Sequence, residues 1–389
     1  MRRADKTSLR EVAWLFLKLG TTAFGGPAAH VAMMEDEIVR RRGWLTPEEF
    51  LDLLGATNLI PGPNSTELAI HIGHRRAGWP GLVVAGLCFI LPAALIVTAI
   101  AWAYVRLGKL PSVASLLYGV KPVIIAVVVQ ALWGLGRKAI KNTWLAVVGL
   151  AGVAANFAGV NELVVLFAAG LVMGARPALA RGSPTGSGIL PMVAANLGVP
   201  LAGATVATLA AVPFSLSALF LFFLKVGSVL FGSGYVLLAF LRADLVEHWH
   251  WLTESQLLDA IAVGQFTPGP VFTTATFIGY LLAGKSGAVI ATAGIFLPAF
   301  VFVALSGPLV PRLRASPIAG AVLDGVNVAS LALMAVVTVH LGITAMVDWF
   351  TASLAIAGTV VLFRFHINSA WLVLGGAVAG LLWRGLSGG

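Results

Sequence analysis

Residues 61–63 read Pro-Gly-Pro in the middle of an apolar stretch that extends from about residue 50 to residue 74. Proline removes a backbone donor and clashes with the preceding turn, and glycine adopts dihedral angles that other residues avoid. A helix through this stretch must therefore break at Pro61. Inside a bilayer, the freed backbone groups are tolerated only where protein or a water-filled cavity covers them. The triplet predicts a broken or re-entrant membrane segment.

A second Pro-Gly-Pro occurs at residues 268–270, and 268 − 61 gives an offset of 207. The same offset relates other pairs, namely Phe16-Leu17-Lys18 and Phe223-Leu224-Lys225, Trp44 and Trp251, and Asp52 and Asp259. Further along, Leu91-Pro92-Ala93 matches Leu297-Pro298-Ala299 at an offset of 206 (297 − 91). Chance matches do not hold one register over such a length, so the chain is an internal duplication.

The composition places this duplication in a membrane. Of the 389 residues, 59% are hydrophobic and 11% are charged, whereas a soluble domain carries about 25% charged residues. Several apolar runs reach the roughly 20 residues that cross a bilayer as a helix. The net charge of +9 is spread between these runs, as the positive-inside rule predicts, and does not indicate a nucleic-acid partner. The single cysteine, Cys88, excludes a disulfide framework and a cysteine-based metal site.

The predicted fold class is an all-α polytopic membrane protein with two homologous repeats of about six hydrophobic segments each. The segments lie near 12–34, 50–74, 80–105, 113–135, 143–160 and 162–176, and near 214–241, 257–283, 286–306, 317–341, 343–363 and 367–385. The first repeat covers residues 1–176 and the second residues 214–389. The linker, residues 177–213, either adds a further span or does not, which leaves 12 or 13 spans. The distribution of Lys and Arg favours inverted repeats, unless segment 50–74 fails to cross.

A second break lies in the first segment of each half, at Phe24-Gly25-Gly26 and at Phe231-Gly232. Discontinuous segments at matching positions of two halves are the best sequence indication of a transporter's binding site. The amino-terminal ends of half-helices present unpaired N–H groups and a positive dipole end, which suits an anion. The alternative is that the breaks are kinks that serve packing.

Lys18 and Lys225 lie six residues before these breaks, inside apolar segments. An ammonium group at membrane depth is costly unless it snorkels or meets a partner. We therefore predict that the two lysines form a cationic lining for a divalent oxyanion, with snorkelling as the alternative. Lys121 is a weaker third cation, because its repeat equivalent is Asn327.

Polar residues near the breaks are the other candidates. Asn58 and Gln265 are equivalent amides that can donate hydrogen bonds to an oxyanion. The candidates for proton coupling are Glu67, His71, Asp52 and Asp259, although the aspartates also fit helix capping or ion pairing with the lysines. Glu67 also fits a position in an aqueous vestibule, and His30 is expected to be a packing residue. No nucleophile, nucleotide loop or metal motif occurs in the sequence, which indicates a gradient-driven transporter and neither an enzyme nor a protein that needs a cofactor.

Several motifs together resemble the chromate ion transporter family in its long, two-domain form. They are FGGPAAH (24–30), RRRGWLTPEEF (40–50), NLIPGPNS (58–65), FLKVGSVLFGSG (223–234) and WLTESQLLDAIAVGQFTPGP (251–270). The resemblance implies chromate export across the bacterial cell inner membrane and chromate resistance. Related members are linked to sulfate, and the halves in this family are regarded as oppositely oriented.

The resemblance and the breaks together predict a set of substrate-binding residues. These are Lys18, Phe24, Gly25, Gly26, Asn58, Pro61, Gly62, Pro63, Asn64, Lys225, Phe231, Gly232, Gly234, Gln265, Thr267, Pro268, Gly269 and Pro270. The family motif also includes His30, Arg42, Gly43, Trp44 and Trp251. This chain departs from the family pattern at Asn58, where Gln is usual, and at Glu67, where an uncharged residue is usual. An ionised Glu67 would repel a dianion.

The leading hypothesis is secondary export of chromate by alternating access, with chromate or a sulfate-like oxyanion and the lipid bilayer as partners. Transport of sulfate or another oxyanion in either direction is the first alternative. A passive anion channel is the second, and a membrane-embedded enzyme or assembly factor the third. A homodimer is left open.

Overall fold

We analysed a computed structural model, which describes residues 8–24, 26–107, 110–180, 213–230, 237–365, 367 and 369–386. Across these ranges all regular secondary structure is helical. The predicted extra segment in the linker lies outside the described residues.

The first repeat contains seven α-helices and one π-helix in its described residues. They are α1 (Leu9–Thr22), α2 (Gly26–Glu35), π1 (Asp36–Arg41), α3 (Pro47–Thr57), α4 (Asn64–Leu107), α5 (Pro111–Ala139), α6 (Thr143–Phe157) and α7 (Glu162–Ala180). The described part of the second repeat contains their equivalents in the same order. They are α8 (Leu216–Val229), α9 (Leu237–Phe240), π2 (Leu241–His248), α10 (Glu254–Phe266), a 3₁₀ turn (Val271–Thr273), α11 (Thr274–Ala315), α12 (Pro317–Ala345), α13 (Trp349–Phe365) and α14 (Ser369–Leu386).

The apolar segments break where the Gly and Pro residues predict. Helix α1 begins at a capping box of Ser8 and Glu11 and ends at Thr22 after 14 residues. At 1.5 Å per residue it is about 21 Å long, shorter than the roughly 30 Å hydrocarbon core. Helix α2 begins at Gly26, whose φ is +79°. Helix α3 ends at Thr57, and α4 begins only after the Pro-Gly-Pro loop.

Helix α4 is a helical hairpin of two unequal arms, residues 64–76 and 79–107. The bend lies at Ala77 and Gly78, and Gly78 has φ +65°. Across the bend, a Cβ on Gly73 would lie 2.3 Å from the carbonyl oxygen of Gly81, and one on Gly86 would lie 2.9 Å from Ile70. Residues 70 and 86 of a straight helix would be about 24 Å apart. The arms therefore run antiparallel, in contact through glycines.

Helix α11 repeats this hairpin. Its bend lies at Ala283 and Gly284, with φ +60° at Gly284, and 284 − 78 gives the offset of 206. The hydroxyl oxygens of Thr276 and Thr292 lie 2.7 Å apart across the bend, although sixteen residues separate them in the chain. The two repeats therefore share the hairpin as well as the sequence register.

Several helices are suited to a bilayer. Among the described residues, five are long and apolar enough to cross it, namely Asn64–Leu107, Val113–Ala139, Val271–Ser306, Pro317–Ala345 and Ser369–Leu386. Helices α6, α8 and α13 are apolar but shorter. Fewer helices meet the length criterion than the sequence predicts, for three reasons. The breaks divide the first two segments of each half, α4 and α11 each join two hairpin arms in one helix, and α6 and α13 have only 15 and 17 residues. The architecture is that of a multi-pass membrane protein.

The last helices of each repeat pack against the other repeat. Helix α5 contacts α13 and α14, and α12 contacts α6 and α7. Glycine permits this approach, because a Cβ on Gly119 would lie 2.0 Å from the carbonyl oxygen of Gly376. At the equivalent contact, a Cβ on Gly325 would lie 2.4 Å from the carbonyl oxygen of Ala169. The core is therefore shared between the two repeats.

Candidate functional site

The broken segments of the two repeats meet through a reciprocal pair of backbone hydrogen bonds. The N–H of Gly62 donates to the carbonyl oxygen of Leu230 at 2.6 Å, and the N–H of Gly269 donates to that of Ala23 at 2.9 Å. Ala23 and Leu230 are the C-caps of α1 and α8. Both pairs are repeat-equivalent, since 269 − 62 and 230 − 23 are each 207. Such reciprocity is the property of a two-fold axis, which here passes between the repeats.

Glycine is required at both Pro-Gly-Pro loops. The φ angle is +138° at Gly62 and +88° at Gly269, a region that L-residues with a side chain rarely adopt. A Cβ on Gly269 would lie 2.6 Å from the Cβ of Ala93. One on Gly62 would lie 2.3 Å from a carboxylate oxygen of Glu67. A side chain at position 269 would thus meet α1 and α4, whereas one at position 62 would displace the Glu67 carboxylate and is disfavoured chiefly by the positive φ.

The first turn of α4 carries a group of buried polar atoms without partners. Thr66 and Glu67 are both 0% exposed. Four atoms of this turn make no hydrogen bond with any described residue. They are the Thr66 hydroxyl oxygen, both Glu67 carboxylate oxygens and the Asn64 amide oxygen. The Asn64 amide nitrogen, in contrast, donates to the Asn58 side chain at 2.7 Å. Unsatisfied buried polar atoms are costly and rare, so this turn has the character of a ligand site.

His30 connects the two breaks of the first repeat. Its ring nitrogens lie 3.3 Å from the Ser65 hydroxyl and 3.2 Å from the carbonyl oxygen of Ala23. His71 lies on the first arm of α4, and its Nε2 is 3.5 Å from the Ser306 hydroxyl of the second repeat. His30 is therefore hydrogen-bonded within the packing, as the sequence predicts, and it ties the start of α4 to the end of α1.

The corresponding region of the second repeat is less polar. The positions equivalent to His30 and Ser65 are Leu237 and Phe272 (offset 207). The hydroxyls of Thr267, Thr273 and Thr274 all donate, at 2.8 Å, to backbone carbonyl oxygens of their own segment. Gln265 is buried at the end of α10. Among the described residues, the buried oxygen atoms without a hydrogen bond next to the two Pro-Gly-Pro loops therefore belong to the first repeat, although the backbone geometry of the crossing belongs to both repeats.

Lys18 and Lys225 each pair with a carboxylate of the neighbouring π-helix. Lys18 Nζ lies 2.6 Å from Glu37, and Lys225 Nζ lies 2.5 Å from Asp244. Asp52 and Asp259 were the candidate partners in the sequence, and Glu37 and Asp244 were missed, although 244 − 37 gives the repeat offset of 207. Each lysine is therefore neutralised locally, and its role in anion binding stays a prediction.

Asp259 belongs to a different ion pair. Lys121 Nζ lies 3.3 Å from Asp259 and 2.6 Å from the Ser255 hydroxyl. The Tyr104 hydroxyl donates to the other oxygen of Asp259 at 2.8 Å. Asp52, the equivalent of Asp259, lies on an exposed face of α3. Lys121, the weakest cation in the sequence analysis, thus has the more buried carboxylate partner.

The remaining predicted residues divide into two groups. Pro61, Pro63, Pro268 and Pro270 form the loops of the crossing, and Phe24 and Gly26 border the first break. Gly25, Phe231, Gly232 and Gly234 lie outside the described residues. The structure therefore brings the Pro-Gly-Pro part of the predicted site together.

A cavity of about 300 Å³ lies elsewhere, between the α6–α7 loop, π2 and α12. Its lining includes Asn161, Glu162, Arg242, Glu247 and His340. Arg242 is already paired with Glu247 at 2.6 Å and with Glu254 at 2.7 Å. The mixed charge of this lining does not favour a dianion, so we place the candidate site at the crossing.

The fold and the crossing define a multi-pass membrane protein with two related halves and broken helices at their interface. The family model described as "Chromate transporter" matches residues 10–175 and again residues 217–381. The chain belongs to the chromate transporter family. The two matched regions reproduce the repeat offset, since 217 − 10 is 207 and 381 − 175 is 206.

Three relatives match most of the chain. The chromate transport protein of Cupriavidus metallidurans is 35% identical over 97% of this chain and 94% of its own length. The probable chromate transport protein of Synechococcus elongatus is 33% identical over 86% of this chain and 85% of its own. The chromate transport protein of Pseudomonas aeruginosa is 33% identical over 94% of this chain and 90% of its own. No solved structure matches the chain significantly.

Proposed function

We propose that this protein is a secondary transporter that exports chromate across a bacterial inner membrane and so confers chromate resistance. The observation that carries the proposal is the reciprocal crossing at Gly62 and Gly269, in a chain of the chromate transporter family. Broken segments at the interface of two repeats are the place where transporters form their substrate sites.

The first turn of α4 is the anion site that we propose. Chromate is a tetrahedral dianion that accepts hydrogen bonds on all its oxygens. The Thr66 hydroxyl has no partner among the described residues and can donate to it. The amino-terminal end of α4 adds N–H groups that lack a helical partner and a partial positive charge. The Asn58 side-chain amide can add a donor, held in place by the hydrogen bond that Asn64 donates to its oxygen. Lys18 and Lys225, each paired with a carboxylate of its own repeat, would contribute to the anion site only if those pairs open.

Glu67 is the residue to which we assign proton coupling. Its carboxyl group is fully buried at the proposed anion site, and no described residue donates to it. An ionised carboxylate in such a place is costly and would repel a dianion. In the proposal Glu67 holds a proton while the anion is bound, and loss of that proton drives the anion out. Asp259 is paired with Lys121 and Asp52 lies on an exposed face, so neither is chosen.

We propose that the two halves are oppositely oriented. Gly86 packs against the Phe300 ring, and Leu82 shares an apolar cluster with Val303. Residue numbers therefore rise along the long arm of α4 as they fall along α11. Antiparallel arms around a local two-fold axis support inversion, which requires an odd number of crossings in the first repeat and the linker together. The repeat boundaries, 1–176 and 214–389 with a linker at 177–213, are part of this proposal.

The driving force we propose is the membrane potential. An inside-negative potential assists the outward movement of an anion by about 2.3 kcal/mol per charge per 100 mV. A carrier of this kind shows saturable flux and stimulation by substrate on the opposite side, whereas a passive channel shows neither.

Chromate uptake into inside-out vesicles tests the proposal. We expect saturable uptake that increases with a lumen-positive potential, is stimulated by chromate inside the lumen, and is absent from vesicles without the protein. Adding sulfate as a competitor measures selectivity. Uptake that fails under every imposed gradient would contradict the proposal, and uptake that does not saturate would indicate a channel.

A further inference from the structure

Helices α3 and α10 are repeat-equivalent but differ in burial. Leu51 on α3 is 63% exposed, whereas its equivalent Leu258 (258 − 51 = 207) is 0% exposed. Asp52 and Asn58 are exposed, whereas their equivalents Asp259 and Gln265 are buried. Two sequence copies of one helix thus occupy different environments in one structure.

The packing partners account for this difference. Helices α3 and α10 both pack against the hairpin helices α4 and α11, but α10 packs in addition against α5, α12 and α14. The exposed face of α3 carries Glu48, Asp52 and Asn58. Charged side chains on membrane segments face water-filled spaces rather than lipid. We therefore expect the exposed α3 side of the crossing to be the side that is open to water, whereas the α10 side is covered by its neighbours.

The side chains of Tyr104, Lys121 and Asp259 hold α10 against the first repeat through hydrogen bonds and an ion pair. Asp259 of α10 accepts from Tyr104 of α4 at 2.8 Å and pairs with Lys121 of α5 at 3.3 Å. Lys121 also donates to Ser255, one turn earlier on α10. The contacts join two helices of the first repeat to one of the second. The position equivalent to Lys121 is Asn327 (offset 206), so the same ion pair cannot form around α3.

We infer that Lys121, Tyr104 and Asp259 form the gate on one side of the transport path. In the alternate state the gate opens, α10 becomes accessible to water, and α3 becomes buried within its own repeat as α10 is now. These are positioning residues, since none belongs to the anion site proposed above. The inference rests on the proposed transport function. It also makes the two states unequal, because only the α10 side has a lysine to hold it closed.

Cysteine accessibility tests the gate without any transport assay. Cys88→Ser removes the native cysteine, and single cysteines are then introduced as Leu51→Cys on the α3 side or Leu258→Cys on the α10 side. The rate at which each cysteine reacts with a membrane-impermeant maleimide in permeabilised vesicles measures the water accessibility of its side. We expect Leu51→Cys to react faster. Adding Lys121→Ala should raise the labelling rate of Leu258→Cys by about tenfold, within the usual range of allosteric coupling, and lower that of Leu51→Cys. Tyr104→Phe, which removes one hydroxyl, should act in the same direction but less strongly.

Matched controls separate a gate from general loosening. Lys141, in the loop that follows α5, and Asp324 of α12 form an ion pair at 2.7 Å at a more exposed position, so Lys141→Ala should leave both rates unchanged. The exchange Lys121→Asp with Asp259→Lys should restore slow labelling of Leu258→Cys. If Lys121→Ala does not yield folded protein, Tyr104→Phe and the charge exchange decide the question. Equal labelling of Leu258→Cys in the gate variants and in Lys141→Ala would overturn the inference.

The two proposals fail in different ways. Absence of chromate flux with reciprocal labelling changes would reject the substrate and keep the gate. Normal flux in wild-type protein with unchanged labelling would reject the gate and keep the transporter.

Discussion

A 2.6 Å hydrogen bond joins the amide nitrogen of Gly62 to the carbonyl oxygen of Leu230. The bond connects the Pro-Gly-Pro loop of the first repeat to the end of α8 in the second, and Gly269 makes the equivalent bond to Ala23. Each loop thus accommodates the carbonyl group that a broken helix of the other repeat leaves unpaired. The backbone groups freed at the breaks of one repeat are therefore hydrogen-bonded by the other repeat. Irregular backbone is tolerated within a membrane protein in this way.

Gly269→Ala should destabilise the protein by about 1–3 kcal/mol, because φ is +88° there and the new Cβ would lie 2.6 Å from that of Ala93. The apparent melting temperature in detergent measures the effect. Gly134→Ala is the control, since a Cβ at that helical glycine meets nothing within 4 Å. It should stabilise by about 0.5–1 kcal/mol. Equal melting temperatures for the two variants would argue against a tightly packed crossing.

Thr66→Val should weaken chromate binding without loss of stability. The substitution preserves shape and removes a buried hydroxyl without a partner in the described part of the chain. Hydrogen bonds to charged groups contribute about 1.5–3 kcal/mol, so we expect KM to rise at least about tenfold. Concentration-dependent chromate uptake into inside-out vesicles measures this change.

The matched control for Thr66 is Thr273→Val at the equivalent position (273 − 66 = 207). The Thr273 hydroxyl donates to the Pro270 carbonyl oxygen at 2.8 Å. Its loss should cost about 1 kcal/mol of stability and leave KM unchanged. An unchanged KM for Thr66→Val would remove the first turn of α4 from the proposed site.

Glu67→Gln should uncouple flux from protons. In vesicles with a clamped potential, wild-type chromate flux should respond to an imposed pH gradient, and the variant should not, because a side-chain amide cannot release a proton. Both proteins should still respond to the potential. Glu48→Gln, on the exposed face of α3, should behave as wild type. A pH response that survives in Glu67→Gln would assign coupling elsewhere.

Lys225→Ala should destabilise the protein more than Lys18→Ala. Among the described residues, the mostly buried Asp244 has two ion-pair partners, Lys225 and His248. Without Lys225 it keeps His248, at 3.4 Å. Without Lys18, Glu37 keeps Arg41 and Arg42, each at 3.5 Å. We expect a cost of about 1–2 kcal/mol for Lys225→Ala, between the values for exposed and for buried pairs.

Melting temperatures of the two lysine variants test this order. Adding Asp244→Asn should recover part of the loss in Lys225→Ala, because the uncompensated charge is removed. If Lys18→Ala proves the more damaging variant, the π-helix arginines do not compensate for the lysine.

The sequence was sufficient for the features that depend on local chemistry. The Pro-Gly-Pro triplets at 61–63 and 268–270 combine two prolines with a glycine, so both breaks were predictable, whereas single prolines such as Pro92 and Pro122 lie inside helices. The offset between the repeats follows from the sequence alone, and it identified repeat-equivalent residues such as Lys18 and Lys225. The apolar segments follow from hydropathy and length, which a bilayer constrains strongly.

Contacts between distant segments could not be predicted in this way. The partners of the lysines, Glu37 and Asp244, depend on how π1 and π2 fold back against α1 and α8. The packing of the last helices of each repeat against the other repeat depends on close approaches such as that of Gly119 to Gly376. Neither contact leaves a periodic signal, because each joins residues whose separation along the chain is set by the fold.

By itself, the sequence determined two repeats, their membrane environment and the positions at which their helices break, because these depend on hydropathy and on the local properties of proline and glycine. Only the tertiary structure decided that Gly62 bonds to Leu230, that Thr66 and Glu67 are buried without partners in the described chain, and that Leu258 is buried while Leu51 is exposed. Equivalent sequences occupy different surroundings because packing is set by neighbours from the other repeat.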